Sequence, residues 1–231
     1  MRPRGKEIGA VRSLLPVEEE KLRAEEEKLR AETAVERLKE RLYTTSVERA
    51  EREAAQARAS FEAHHTWYLT DSVNHVSCRV VMDKLHQWDL EDPTCGVEII
   101  VTSPGGDALQ GMALFDYIGE MRRKGHHITI HALGYAASMA AILLQAASWR
   151  VIGRESWLLV HEVSADSSGK VGEMEDTVKM LEKMCARVAD IFVERAEGKI
   201  DLETFTDSWG RKDWWMDSEE ALRLGFVDEV R

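Results

Sequence analysis

Gly134-Tyr-Ala-Ala-Ser-Met-Ala-Ala-Ile-Leu-Leu-Gln-Ala-Ala147 decides how the chain is read. The stretch is small and apolar almost throughout, so it belongs in a core. Ala, Leu and Gln are strong helix formers, and Ala140 to Ala147 is expected to be a buried helix. Just upstream, His127-Ile-Thr-Ile-His-Ala-Leu133 alternates as a half-buried strand does. Ser138 therefore falls at a strand-to-helix corner. The first amides of a helix have no intrahelical partner, and its dipole favours negative charge there. Two readings stand for this serine. It caps the helix, as serine often does, or it is a nucleophile with the Met139 N–H beside it as an oxyanion donor. Gly134, Ala136 and Ala137 leave room for a substrate carbonyl.

Outward from this corner the chain alternates strands and helices, the pattern of an α/β domain with a largely parallel sheet. Trp67–Thr70 opens the domain, and Asn74–Trp88 is helical with Val76, Val80, Val81 and Leu85 as its stripe. Val97–Thr102 is a strand broken by Ser103-Pro-Gly-Gly106, and Asp107 is placed to cap the next helix. That helix is expected to turn Leu109, Met112, Ile118 and Met121 inward and to stop at Gly125. Trp149–Ile152 and Trp157–Val163 are further strands. Glu173–Ala196 is a long amphipathic helix seamed by Met180, Met184, Val188 and Ile191. Asp217–Gly225 is a short capped helix, and Phe226–Asp228 is a last strand.

Two βα corners, the one at Ser103–Gly106 and the one at Ser138, end strands at the edge where such folds bind ligands. Glycine at 105 and 106 allows positive φ and close approach of a peptide, or simply makes a tight turn. His161 follows the apolar run Trp157–Val160, 23 residues beyond Ser138, and is placed as a base or as a structural histidine. His64, His65, His126 and His127 sit in polar contexts expected to be exposed. His75, His86 and His131 have no matching corner. Asp213, in Arg211-Lys-Asp-Trp-Trp215, is either a carboxylate buried by its flanking rings or an exposed loop acid.

These residues together resemble the Clp protease proteolytic subunit family, the ClpP-like serine peptidases. The resemblance runs from Trp67 to Arg231. It rests on Thr102–Ala113, Gly134–Met139, Leu159-Val-His161, Asp213 and Ala221–Asp228. It implies Ser138 as nucleophile, His161 as general base and Asp213 as the carboxylate that orients it. It also implies Gly106 and Met139 as oxyanion donors, with Gly105 and Tyr135 at the substrate. The reaction implied is peptide hydrolysis through an acyl-enzyme. The fold implied is the crotonase-like spiral of βα units. The family stacks as two heptameric rings with a Clp-type ATPase as partner, and no cofactor or metal is called for. Tyr135, Asp107 and the Trp214-Trp215 pair depart from the family's usual residues. Rival readings are a phage capsid maturation protease of the same fold, a crotonase-fold acyl-CoA enzyme, an assembly protein without activity, and a Ser–Lys relative.

Residues 1–63 depart from the family altogether: a disordered start, then one long charged helix from Val17 to about Ala63. Residues 64–231 form the peptidase domain. Glu19–Arg23, Glu26–Arg30 and Glu48–Arg52 are helix-supporting pairs. Leu15, Leu22 and Leu29, then Ala31, Leu38 and Thr45, make an imperfect coiled-coil seam. A solvated helix and a docking arm are both open. Residues 1–60 hold 14 basic and 13 acidic groups, whereas residues 61–231 hold 17 and 29. An acidic body argues against nucleic acid as partner. No run is apolar enough for a bilayer, and no signal-peptide core is visible. Cys78, Cys95 and Cys185 fit neither a disulfide framework nor a zinc site by spacing. Buried free thiols in a reducing cytoplasm are expected.

Overall fold

The computed structural model describes residues 21, 23, 25, 28–30, 32–49 and 65–231. Contacts divide the chain into two units, Met1–Ala59 and Ser60–Arg231. In the first unit, residues 28–30 and 32–49 are helical and exposed, and 32–49 is labelled α1. Leu29, Leu38 and Leu42 face solvent, and Lys39–Glu36 is an ion pair at 2.7 Å. Leu15, Leu22 and the three expected Glu–Arg pairs lie wholly or partly outside the described residues.

The second unit is a mixed α/β domain. Its elements are β1 (Thr66–Leu69), α2 (His75–Glu91), β2 (Gly96–Ser103), α3 (Ala108–Arg123) and β3 (His127–Ala137). Then follow α4 (Met139–Leu144), β4 (Trp149–Ile152), β5 (Trp157–Val160), α5 (Val171–Arg195), α6 (Leu202–Trp209), β6 (Trp214–Asp217), α7 (Ser218–Arg223) and β7 (Glu229–Val230). The sheet runs β1-β2-β3-β4-β7, all parallel, as expected. β3 is shared: Thr129–Ala132 pairs with β4, and Tyr135–Ala137 pairs with β5. Gly134, at φ +71°, stands where one partner gives way to the other. Antiparallel β6 then closes on β5.

Two elements are absent from the sequence reading, α6 and β6. Both are short; α6 does carry boundary signals, an Asp201 N-cap and Gly210 at its end, but its eight residues are not read as a helix from the sequence. An aromatic cluster fixes them. Phe192 stacks on Phe205 at 5.4 Å, and Trp214 meets both Phe205 and Phe226 at 5.8 Å. Helix faces also differ from expectation. In α2 the buried residues are Cys78, Val81, Leu85 and Trp88, while Val76 and Val80 are exposed. In α3 the buried stripe is Gly111, Leu114, Ile118 and Met121, and Leu109 is exposed. Val81 and Leu85 of α2 and Ile118 and Met121 of α3 are buried as expected; the rest of the α2 face is completed by Cys78 and Trp88, which the expected stripe leaves out. The strand expected over Trp157–Val163 ends at Val160, and α5 begins two residues earlier than expected.

Behind the sheet, Arg150 is buried and ties four segments together. Its guanidinium donates to both Asp228 carboxylate oxygens, to Gln145 Oε1 at 2.8 Å and to the Gly225 carbonyl at 2.7 Å. Burial opposes ionisation of Asp228, but the hydrogen bonds and charge of Arg150 outweigh it and hold the carboxyl below its ordinary range. A carboxylate depressed by folding stabilises fully above its unfolded value, near about 4, and ceases to as pH falls through the folded value. Breaking a buried pair leaves an uncompensated charge. Arg150→Met is therefore expected to lower stability by about 3–5 kcal/mol in urea unfolding near neutral pH. Asp228→Asn should flatten the decline in stability below about pH 4.

Candidate active site

β3 ends at Ala137, and Ser138 turns the chain into α4. Its backbone sits at φ 55°, ψ −124°, a conformation that costs a non-glycine residue about 1–3 kcal/mol. Although Ser138 holds the N-cap position, its side chain makes no capping hydrogen bond. Capping therefore does not explain the residue. The corner is held by its backbone: the Ser138 N–H donates to the Leu159 carbonyl at 2.9 Å, and its own carbonyl accepts from Ala141 and Ile142. Every residue of α4 is buried, so the corner rests on a rigid base.

The other corner is pressed against it. A Cβ on Gly105 would lie 2.5 Å from the Ala137 carbonyl, 2.7 Å from Ser138 Cβ and 2.8 Å from the Met139 nitrogen. Glycine at 105, at φ +86°, is what lets the two turns touch. Val73 brackets the neighbouring Gly106. Its N–H donates to the Gly105 carbonyl, and its carbonyl accepts from Asp107, both at 2.8 Å. That ladder leaves the Gly106 amide out. Met139 is the first residue of α4, so its amide has no intrahelical partner either. Asp107 caps α3 as expected, accepting from the amides of Leu109 and Gln110.

Gly106, Ser138, Met139 and His161 line one cavity of about 320 Å³. Its far wall is apolar, with Ile142, Val163, Met180, Leu181 and Met184. Met180 and Met184, expected as a helix seam, face this space. Gly105 lies behind the corner, and Tyr135 is exposed on β3; both are outside the lining.

The three polar residues are only partly brought together. His161 Nδ1 lies 2.7 Å from the backbone oxygen of Glu162, so the ring is turned to its own loop. Among the described residues, no hydrogen bond joins it to Ser138 or Asp213. Asp213 is exposed: Trp214 is half-buried in the aromatic cluster, Trp215 is exposed, and neither ring covers the carboxylate. The expectation of a buried acid is thus corrected. The β5–β6 ladder ends at the antiparallel pair Val160–Trp214, one residue short of His161 on one strand and of Asp213 on the other.

The sequence model described as Clp protease matches residues 48–231. The chain belongs to the Clp protease family. It is 28% identical over 166 residues to an ATP-dependent Clp protease proteolytic subunit 2 of Tropheryma whipplei, covering 71% of this chain and 89% of that one. A subunit 1 of Leifsonia xyli is 30% identical, covering 71% and 81%. A Bacteroides thetaiotaomicron subunit is 27% identical, covering 71% and 72%. Family membership makes the chain a serine-type endopeptidase, a hydrolase of the ClpP kind, and accounts for the mixed α/β fold.

Because the glycine contact joins the two corners, Gly105→Ala tests the geometry directly. The new methyl meets backbone atoms that cannot move independently, at a φ that L-residues resist by about 1–2 kcal/mol. A lower melting temperature and at least a tenfold loss of peptidase rate are expected (roughly 1.4 kcal/mol of barrier). Both are read by thermal unfolding and a fluorogenic peptide.

Proposed function

We propose that this chain is a Clp-type peptidase subunit whose nucleophile is Ser138, with His161 as general base and Asp213 as the carboxylate orienting it. The observation that carries this reading is the uncapped Ser138 hydroxyl on a strained corner, in the same cavity as His161. In the reaction, His161 takes the Ser138 proton as Oγ attacks the scissile carbonyl. The Gly106 and Met139 amides then receive the oxyanion. His161 returns the proton to the leaving amine, and water resolves the acyl-enzyme by the same path.

This chemistry requires the imidazole to leave the Glu162 carbonyl and offer its Nδ1–H to Asp213. The loop at 164–170 that follows is exposed and has no regular structure, so a neighbouring subunit is well placed to reset it. We therefore include a closed homo-oligomer of stacked rings in the proposal, with a Clp-type ATPase delivering protein substrates. The apolar cavity wall suits hydrophobic side chains of an unfolded polypeptide. Among the described residues, no helix is long and apolar enough to cross a membrane, and all three cysteines are free thiols. Both facts favour work in a reducing cytoplasm.

A fluorophosphonate probe followed by intact mass tests the nucleophile. Wild type should gain one adduct and Ser138→Ala none, with peptide hydrolysis falling roughly 10³–10⁶-fold. Labelling that persists in Ser138→Ala would sink the assignment. Asp213→Asn should lower the rate by about 10⁴-fold with little change in KM, because it acts through His161. Light scattering on the active fraction should show an assembly; an active monomer would remove the oligomer from the proposal.

A further inference from the structure

The parallel sheet has a second chemically loaded end. Three adjacent strands, β1, β2 and β3, begin immediately after His65, Cys95 and His126. Ser138 lies at the opposite end of β3, twelve residues from His126, roughly 35–40 Å along an extended strand. Around Cys95, the ligand atoms of His65, Asp92 and Cys95 all lie within 4.8 Å of one another. His126, expected to be exposed, is buried, and its Nδ1 lies 3.3 Å from Cys95 Sγ. Its other nitrogen, Nε2, is 2.9 Å from Asp89 Oδ1, and Lys124 holds Asp89 Oδ2 at 2.5 Å.

We infer that His65, Asp92 and Cys95, whose ligand atoms already lie together, form a binding site for a zinc-type divalent cation at the end of the sheet remote from the peptidase cavity, with His126 recruited from the Cys95 side as the fourth ligand. One thiolate, two imidazoles and one carboxylate are the donor types that tetrahedral zinc takes. Bonds of about 2.0–2.3 Å place neighbouring ligands roughly 3.3–3.8 Å apart, and the Cys95–His126 spacing already falls there. Asp89 supplies the carboxylate that such sites put behind a histidine. Asp89 accepts from Nε2–H when the other nitrogen, Nδ1, serves as a ligand; Nδ1 lies 3.3 Å from both the Cys95 thiol and the Cys95 carbonyl oxygen. Cys95 and His126 form a buried floor, while Asp92 is exposed and His65 half-buried, which leaves an entry path and two ligands able to move inward. Cysteine spacing alone excluded zinc because no two cysteines take part and the four donors come from three separate connections. The bound ion would pin the first residue before β1 to the starts of β2 and β3.

The test uses the full chain without an affinity tag, stripped with chelator and titrated with Co²⁺. The expected result is one ion per chain, a thiolate-to-cobalt band in the near ultraviolet, loss of that band on adding Zn²⁺, and a rise in melting temperature with Zn²⁺. Cys95→Ala should abolish the band, and Cys78→Ala and Cys185→Ala should keep it. His65→Gln, whose metal-free melting temperature is read alongside because the ring also meets Trp88 at 5.4 Å, should weaken binding at least tenfold, and Asp89→Asn by about 10–100-fold. Absence of the band in wild type, its survival in Cys95→Ala, or unchanged affinity in His65→Gln would each overturn the site. None of these outcomes depends on Ser138, so the result is independent of the peptidase assignment.

Discussion

Backbone contact between two turns governs this structure. The turn after β2 and the turn after β3 meet with no side chain between them, because Gly105 has none. Gly111 repeats the device one turn into α3, where a methyl would strike the side chain of Met139. These close approaches set how far α3 and α4 stand from each other and where the Gly106 and Met139 amides point. The strain at Ser138 persists because buried α4 on one side and the Leu159 carbonyl on the other leave the corner no alternative. The geometry of the Ser138 corner is thus a by-product of how two βα units are packed.

The cavity follows from the same arrangement. Its polar edge is the corner pair, and its apolar wall comes from α5, a helix that arrives late in the chain. Arg150 performs the complementary task behind the sheet, joining the end of α4 to the segment after α7. The start of α4 is thus fixed by the glycine contacts, and its end, at Gln145, by the buried Arg150 guanidinium. His161 and Asp213 have no such bracing. They follow or precede short strands in loops, and among the described residues no hydrogen bond joins them to each other or to Ser138.

Which parts were legible in the sequence follows from this division. Small residues at 134–147 after the alternating run at 127–133 announced a strand-to-helix corner at Ser138. Parallel topology followed from alternation alone. The stripe of α2 was read in part, with Val81 and Leu85 inward but Cys78 and Trp88 left out, and β6 was missed because its four residues run straight into α7 with no period to detect. His126 was misjudged for a related reason. It sits beside exposed His127 in sequence, but strand alternation sends neighbours to opposite faces. Contacts among Asp89, Cys95 and His126 span 31 to 37 positions, and no local pattern reports them.

The pairing of β5 with β6 carries a further implication for how the gene can vary. Side chains alternate along a strand, so sliding β6 by one position would swap Trp214 and Asp213 between faces. The aromatic ring would then leave Phe205 and Phe226. Insertions or deletions within 213–217 are thus intolerable in steps of one. The exposed segment 164–170, which pairs with nothing regular, can absorb length changes freely. Length polymorphism among related chains should accumulate in that loop and spare the short strand.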